Sequence, residues 1–447
     1  MIIRTSEIIW TQIDQILNRS FNQNRTLEWG IIGVVEKLGD EVFLIREIFL
    51  PTQKDLDQSE GGLIFSSPYI RRAQLWAQRQ GKSGLVFFHT HPLANDQVSF
   101  SWFDDTQEPL LIKNLREIWP GSEHISIVVG KNAYKGRVYL QGERAQDLMK
   151  LYVIGRTIKV ISLFGNRVQP PMPSHIFDRA KEVTSAGALQ ILKDMKIAII
   201  GAGGTGCLMV ELLRRAGCGN LLLIDDDIVE DTNLNRLLFA SSTDVEEKNK
   251  KVSVALRAND QCVLENKLEI IDGNVTNPSV LHKLSGIDLL IGCIDKDYPR
   301  YVLNDFAVKY FMPYVDLGSE IGIAGEKLQS LDARVTYVYP GGPCLNCRGL
   351  IDHERIRLEG LQLQERRRHI GLGYCQDIDI KQPAVMELNM RAASFAALFI
   401  RHLVQPFLDQ GGEMDFRESI TSMTIKKVGL KSPKMECAVC GYKYNFV

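Results

Sequence analysis

Apolar residues in the first 165 positions come in short runs bounded by glycine or polar residues: WGIIGVV from Trp29, EVFLIREIFL from Glu41, SGLVFFH from Ser83, HISIVVG from His124 and GRVYLQG from Gly136. Runs of this length, rich in β-branched and aromatic residues, predict buried strands. One stretch has the other period. SSPYIRRAQLWAQRQG, from Ser66, spaces its apolar residues for a helix, with Ser66 or Ser67 as cap, Pro68 in the first turn and Gly81 past the end. Together they predict a compact α+β unit. From Gly165, GNRVQPPMPSH holds three prolines and no apolar period. It can continue neither a helix nor a central strand, which predicts a linker at 166–175 between units at 1–165 and 176–447. Beyond it, MKIAIIGAGGTGCLMVELLRRAGCGNLLLIDDD from Met195 reads strand, glycine turn, helix, strand. That is the start of a doubly wound, Rossmann-like parallel sheet. HERIRLEGLQLQERRRH from His353 is heavily charged and predicts a solvated helix or loop.

Composition adds bounds. A chain of 447 residues is too long for one ordinary core and predicts two or three domains. Its 45% hydrophobic and 24% charged residues are those of a globular protein. The formal charge of -1 gives no global pull toward nucleic acid or an anionic membrane. No apolar run is long enough for a membrane helix and the start lacks a signal-peptide pattern, so a cytoplasmic protein is expected. Four of the nine cysteines form Cys344-Leu-Asn-Cys347 and Cys437-Ala-Val-Cys440. In a reducing compartment that spacing favours zinc over disulfides. Cys207, Cys218, Cys262 and Cys293 are read as core residues.

HTHPLANDQVSFSWFDD, from His89, suggests a metal site. His89 and His91 share a strand face, and Asp104, in a short helix beginning at Ser99 or Ser101, offers a third ligand. A catalytic zinc keeps its fourth position for water, whose proton needs a base; Glu28, at the head of the strand EWGIIGVV, is the candidate. With Pro92 and the S-x-x-D after it, this half resembles the JAB/MPN-type (JAMM) metalloproteases. The resemblance implies zinc on His89, His91 and Asp104, Glu28 as general base and Ser101 as oxyanion donor. It also implies cleavage of peptide or isopeptide bonds after the C-terminal glycine of ubiquitin-like proteins. The loop is two residues longer than the family's, so Asp105 and Ser99 stay open as alternatives.

GAGGTG, from Gly201 to Gly206, follows the strand KIAII and opens a helix. Such a turn lets backbone approach a phosphate on the helix N-terminus, and Asp225, ending the next strand, can hold a ribose of NAD or ATP. Two later segments favour ATP. DDDIVEDTNLNR (225–236) and IGCIDKDYPR, with Asp295 and Arg300, put cations where a triphosphate needs neutralising. The order G-x-G-G-x-G, then D-x-D-x-x-E-x-x-N-x-x-R, resembles the MoeB/ThiF and ubiquitin-activating enzyme family. The resemblance implies that Gly201, Gly203, Gly204 and Gly206 cradle phosphate. It places Asp225 and Asp227 at ribose and metal, Asn233 and Arg236 on the phosphates, and Asp295 on magnesium. The phosphate lysine is Lys251, with Lys250 and Lys248 as alternatives. Arg179 matches an arginine lent across a homodimer, the four cysteines match a structural zinc knot, and Cys375 stands where a thioester nucleophile stands.

The combined expectation is an α/β chain pairing a JAB/MPN-like zinc protease with a ThiF-type domain that uses ATP and Mg2+ to adenylate a ubiquitin-like β-grasp protein. Cys375 then passes the acyl group to a conjugating-enzyme-like partner. The alternatives are adenylation of a sulfur carrier, an NAD oxidoreductase, and a non-catalytic scaffold.

Overall fold

The computed structural model describes residues 1–22, 27–59, 62–142, 145–166, 174–260, 264, 266–325, 327–361, 365, 368, 383–408, 415–427 and 432–441. Its contacts divide the chain into two units between residues 170 and 171, within the proline-rich stretch.

The first unit is built on a nine-stranded sheet. Across it the strands run β11 (Ile158–Ser162), β10 (Lys150–Ile154), β1 (Ile2–Ser6), β3 (Val42–Phe49), β2 (Gly30–Leu38), β6 (Gly84–Thr90), β7 (His124–Val129), β8 (Tyr134–Tyr139) and β9 (Gln146–Asp147). A two-stranded hairpin, β4 (Leu56–Ser59) and β5 (Gly62–Phe65), forms separately. Helix α1 (Glu7–Asn22) covers one face, packing Trp10, Ile13 and Leu17 with Ile31, Val35 and Phe43. Helices α2 (Ser67–Arg79) and α3 (Trp102–Ile118) cover the other, packing Tyr69, Ala73 and Leu115 with Ile32, Val34 and Phe87. Successive strand residues face opposite layers, so a sheet covered on both sides needs unbroken apolar runs. Ser66 caps α2, accepting from the Tyr69 N–H, and Gly81 turns the chain at φ +62°. Two expectations are corrected here. The helix after the histidines has 17 residues and is not short, and Glu28 lies before β2, outside any strand.

The second unit carries an eight-stranded sheet. Five parallel strands run β14 (Lys267–Asp272), β13 (Asn220–Asp225), β12 (Lys196–Ile200), β15 (Leu289–Gly292) and β16 (Tyr314–Ala324). Antiparallel β17 (Lys327–Val338), β18 (Asp415–Ser419) and β19 (Thr424–Lys427) extend it. The described helices are α4 (Ala186–Asp194), α5 (Gly204–Arg215), α6 (Ser242–Glu246), α7 (Lys251–Asp260), α8 (Pro278–His282), α9 (Asp297–Lys309), α10 (His353–Glu359) and α11 (Met386–Val404). Ala198, Ile200, Leu222 and Leu290 pack with Leu303, Phe306 and Ala307 of α9, and α11 lies on α5 and across β16 and β17. Strand order reverses between β12 and β15, so the chain leaves those strands in diverging directions and opens a crevice at their carboxyl ends.

Candidate functional site

The crevice of the second unit gathers most of the residues singled out in GAGGTG and the acidic segment. Gly201, Gly203, Gly204, Asp225, Asp227, Asn233, Arg236, Lys251 and Asp295 all line it. Gly201 has φ +98°, a left-handed conformation open to glycine. A Cβ on Gly206 would lie 1.7 Å from the Gly201 carbonyl oxygen, whereas one on Gly203 meets nothing within 4 Å. One glycine lets the turn close, and the other leaves space for a ligand. The Asp225 carboxylate accepts from the Ala202 N–H at 2.7 Å and the Asp227 N–H at 2.8 Å, tying the glycine turn to the end of β13. Burial raises its pKa, against those bonds and Lys251.

Lys251 Nζ lies 2.7 Å from Asp227 Oδ2, so the lysine inside the crevice is the one that opens α7. Lys250 reaches the Asp226 carbonyl at 2.8 Å and Asp272 at 3.0 Å. Arg236 donates to the Thr232 carbonyl and to Asn235 Oδ1, and Asn233 Oδ1 accepts from the Glu230 N–H. Asp295 is exposed and shares the crevice with Arg236. Arg300 does not belong with these cations. It is buried, its Nη2 lies 2.8 Å from Asp316 Oδ2 and its Nη1 3.3 Å from Asp297 Oδ1; the carboxylates around it compensate its burial. Arg179 is exposed in the turn after Phe177. Cys375 and Cys262 lie outside the described residues. Sequence reasoning passed over Asn274, Lys296, Ser319 and Asn389, which also line the crevice.

Cys344, Cys347, Cys437 and Cys440 are all buried, with sulfurs within 4.8 Å of one another. Sγ–Sγ distances are 3.6 Å for Cys344–Cys437 and 3.3 Å for Cys347–Cys440. A tetrahedron with Zn–S bonds of about 2.3 Å has edges of about 3.8 Å, so the donors fit zinc. No vertex remains for a substrate.

In the first unit, His89, His91 and Asp104 put ligand atoms within 4.8 Å of one another. β6 carries His89 to the end of the sheet and α3 brings Asp104 back. His89 Nε2 is 3.2 Å from Asp104 Oδ1, and His91 Nε2 is 3.3 Å from Asp104 Oδ2. Buried His89 Nε2 has no hydrogen-bond partner among the described residues. Atoms spaced so fit zinc, whose bonds of about 2.0–2.1 Å put neighbouring ligands roughly 3.3 Å apart. Burial would raise the Asp104 pKa, but the imidazoles and the Ser101 N–H hold it well below the usual carboxylate range. Glu28 Oε1 stands 3.7 Å from His91 Nε2, and burial raises its pKa against the pull of His89 and His91.

The structure separates the neighbouring alternatives. Asp105 pairs with Arg137 at 2.6 Å instead of joining the histidines. Ser101 is the N-cap of α3, donating from Oγ to Asp104 Oδ2 at 2.8 Å and accepting from the Asp104 N–H at 3.1 Å. Ser99 is exposed.

Residues 178–436 match the ThiF family, more than half of the chain. Among curated proteins, the chain is similar to the adenylyltransferase and sulfurtransferase UBA4 of Meyerozyma guilliermondii, 30% identical over 160 residues, 35% of this chain and 34% of that protein. It is also similar to the adenylyltransferase and sulfurtransferase MOCS3 of Drosophila yakuba, 32% identical over 158 residues, 35% of this chain and 32% of that one. The chain thus spans about a third of the length of these relatives. Among solved structures, Escherichia coli MccB with ATP aligns with a TM-score of 0.47 at 21% identity, over 60% of this chain and 75% of that one.

Proposed function

Because the chain belongs to the ThiF family, we propose that its second unit adenylates the C-terminal glycine of a small sulfur-carrier protein of the β-grasp type. In this reaction a carboxylate oxygen attacks the α-phosphorus of ATP, a new P–O bond forms, and the bond to the β-phosphate breaks to release pyrophosphate. The attack brings a negative carboxylate up to a negative phosphate chain, so the site must neutralise charge. The observation that carries this reading is the convergence of the glycine turn, Asp225, Lys251, Arg236 and Asp295 on one crevice. The turn and the N-terminus of α5 hold phosphate, Asp225 holds the ribose, and Asn233, Lys251 and Arg236 grip the phosphates. Asp227 and Asp295 hold Mg2+, which supplies further neutralisation. Arg179 reaches the crevice of a second copy in a homodimer. A dinucleotide oxidoreductase has no use for these cations.

Two fates of the adenylate were open. Thiocarboxylate formation fits relatives named for both adenylyl and sulfur transfer better than thioester formation on Cys375 and delivery to a conjugating partner.

To the first unit we assign zinc-dependent cleavage of the peptide or isopeptide bond after the same terminus, as in JAB/MPN proteases. His89, His91 and Asp104 would hold the ion, which supplies Lewis acidity. Glu28 would take the proton of the attacking water, and Ser101, whose hydroxyl donates to Asp104 Oδ2 in this structure, would serve the oxyanion by turning that O–H away from Asp104. The Cys344, Cys347, Cys437 and Cys440 site holds a structural zinc.

The test incubates the full chain with ATP, Mg2+ and small β-grasp proteins ending in glycine, and follows carrier mass. A carrier gaining an adenylyl group, then a thiocarboxylate when sulfide is added, supports the reading. A thiol-labile adduct on Cys375 shifts it to conjugation. No change in any carrier, with tight NAD binding, defeats it.

A further inference from the structure

Asn389 belongs to no segment read as a nucleotide motif, yet it lines the same crevice. It sits in the first turn of α11 and is 4% exposed. Ser319 Oγ, on β16, donates to its Oδ1 at 3.1 Å, which turns the Nδ2 end toward the glycine turn. A Cβ built on Gly204 would lie 2.5 Å from Asn389 Nδ2, with the Arg236 stem at 3.2 Å on its other contact. Nδ2 itself has no hydrogen-bond partner among the described residues. An amide whose oxygen is already held by a neighbour keeps its nitrogen donors for a ligand in the crevice.

The neighbouring backbone is in the same condition. Gly203 gives α5 no side-chain cap, so the first N–H groups of the helix point into the crevice without intrahelical partners. An oriented amide donor beside an uncapped helix start is a site for an anion.

We propose that Asn389 is a phosphate-binding residue, its Nδ2 donating to a nucleotide phosphate oxygen seated on the N-terminus of α5, and that Ser319 is the positioning residue that orients the amide. The proposal rests on the ATP reading of this crevice.

Calorimetric titration of the full chain with MgATP, and separately with adenosine, tests it. Asn389→Ala weakens ATP binding roughly 10- to 100-fold, the scale of one hydrogen bond to a charged group, and leaves adenosine binding unchanged. Asn389→Asp, nearly the same shape, weakens ATP further by setting a carboxylate against phosphate. Ser319→Ala has a smaller effect in the same direction. Adenosine affinity shows that the crevice is still folded in each variant. If Asn389→Ala and Asn389→Asp bind ATP as the unaltered chain does, the assignment is wrong while the ATP reading stands. Equal loss of ATP and adenosine also overturns it, leaving Asn389 a packing residue. If the unaltered chain binds no ATP, both fail.

Discussion

Gly203 and Gly206 stand three residues apart and make opposite demands on a side chain. Alanine at 206 drives a Cβ to 1.7 Å from the Gly201 carbonyl oxygen, while alanine at 203 enters open space. Gly206→Ala therefore lowers the melting temperature of the second unit. Gly203→Ala keeps that temperature but weakens ATP binding, because the new methyl occupies room left for phosphate; calorimetry and titration on the two variants separate the effects. On the proposed zinc-protease reading of the first unit, Glu28→Gln keeps the metal content of the His89, His91 and Asp104 site, measured by elemental analysis against His89→Ala. The same change lowers hydrolysis about 10²- to 10⁴-fold, the usual contribution of a general base. How legible these residues were depends on how local their signals are. Asp104 and Asp105 stay open in the sequence because they are neighbours; in the structure the cap at Ser101 holds Asp104 beside the histidines while Asp105 turns to Arg137. Lys251 stands out over Lys250 by helical register. Asn389 carries no local signal, since its position depends on α11 crossing α5.

Among elements, α3 shows where local rules yield to packing. Pro109 inside it removes one ladder bond and disfavours helix at the residue before, yet the helix runs on for 17 residues. Ile112 and Leu115, buried against the sheet, carry it through. Because Ser101 both caps α3 and holds Asp104, Ser101→Ala destabilises the first unit by about 1 kcal/mol, the usual loss of a cap, and, on the proposed zinc reading, weakens zinc binding at the same time. Denaturant melts and metal titration would show the two together; loss of stability with unchanged zinc affinity would separate cap from ligand. The cysteine pairs bring the segment after β17 to the chain near residue 440, so on the proposed structural-zinc reading a strong chelator or Cys437→Ser lowers the melting temperature of the second unit while circular dichroism still reports the first as folded.

At the scale of the whole molecule the chain divides into two compact units, and the proline-rich stretch from Gly165 is the segment whose composition excludes both regular elements. The parallel strands β12, β13 and β15 were equally legible as apolar runs around a glycine turn. β1 escaped notice because its partners are the distant β10 and β3, and pairing across such separations leaves no local pattern. The first unit also carries a built-in acid sensitivity. His124 is fully buried; its Nδ1 accepts from the Leu85 N–H and its Nε2 lies 2.8 Å from Ser122 Oγ. Burial, helped by Arg116, pushes its pKa down to about 3. A depressed folded pKa means that the unfolded chain takes the proton first. Stability from this group is complete above about pH 6.5 and drains away as pH falls toward 3, by at most about 1.4 kcal/mol per pH unit. His124→Gln flattens that acid limb in melts recorded between pH 7 and 4; an unchanged limb would mean other groups set it.

ATP–pyrophosphate exchange tests the central claim most directly, because it reads reversible formation of the adenylate and nothing later. With a glycine-terminated β-grasp carrier and Mg2+, labelled pyrophosphate enters ATP, and Asp225→Asn, Arg236→Ala and Lys251→Ala each suppress that exchange while the second unit keeps its melting temperature. Exchange that persists undiminished in all three variants would contradict the assignment of this crevice as the place where the carboxylate is activated.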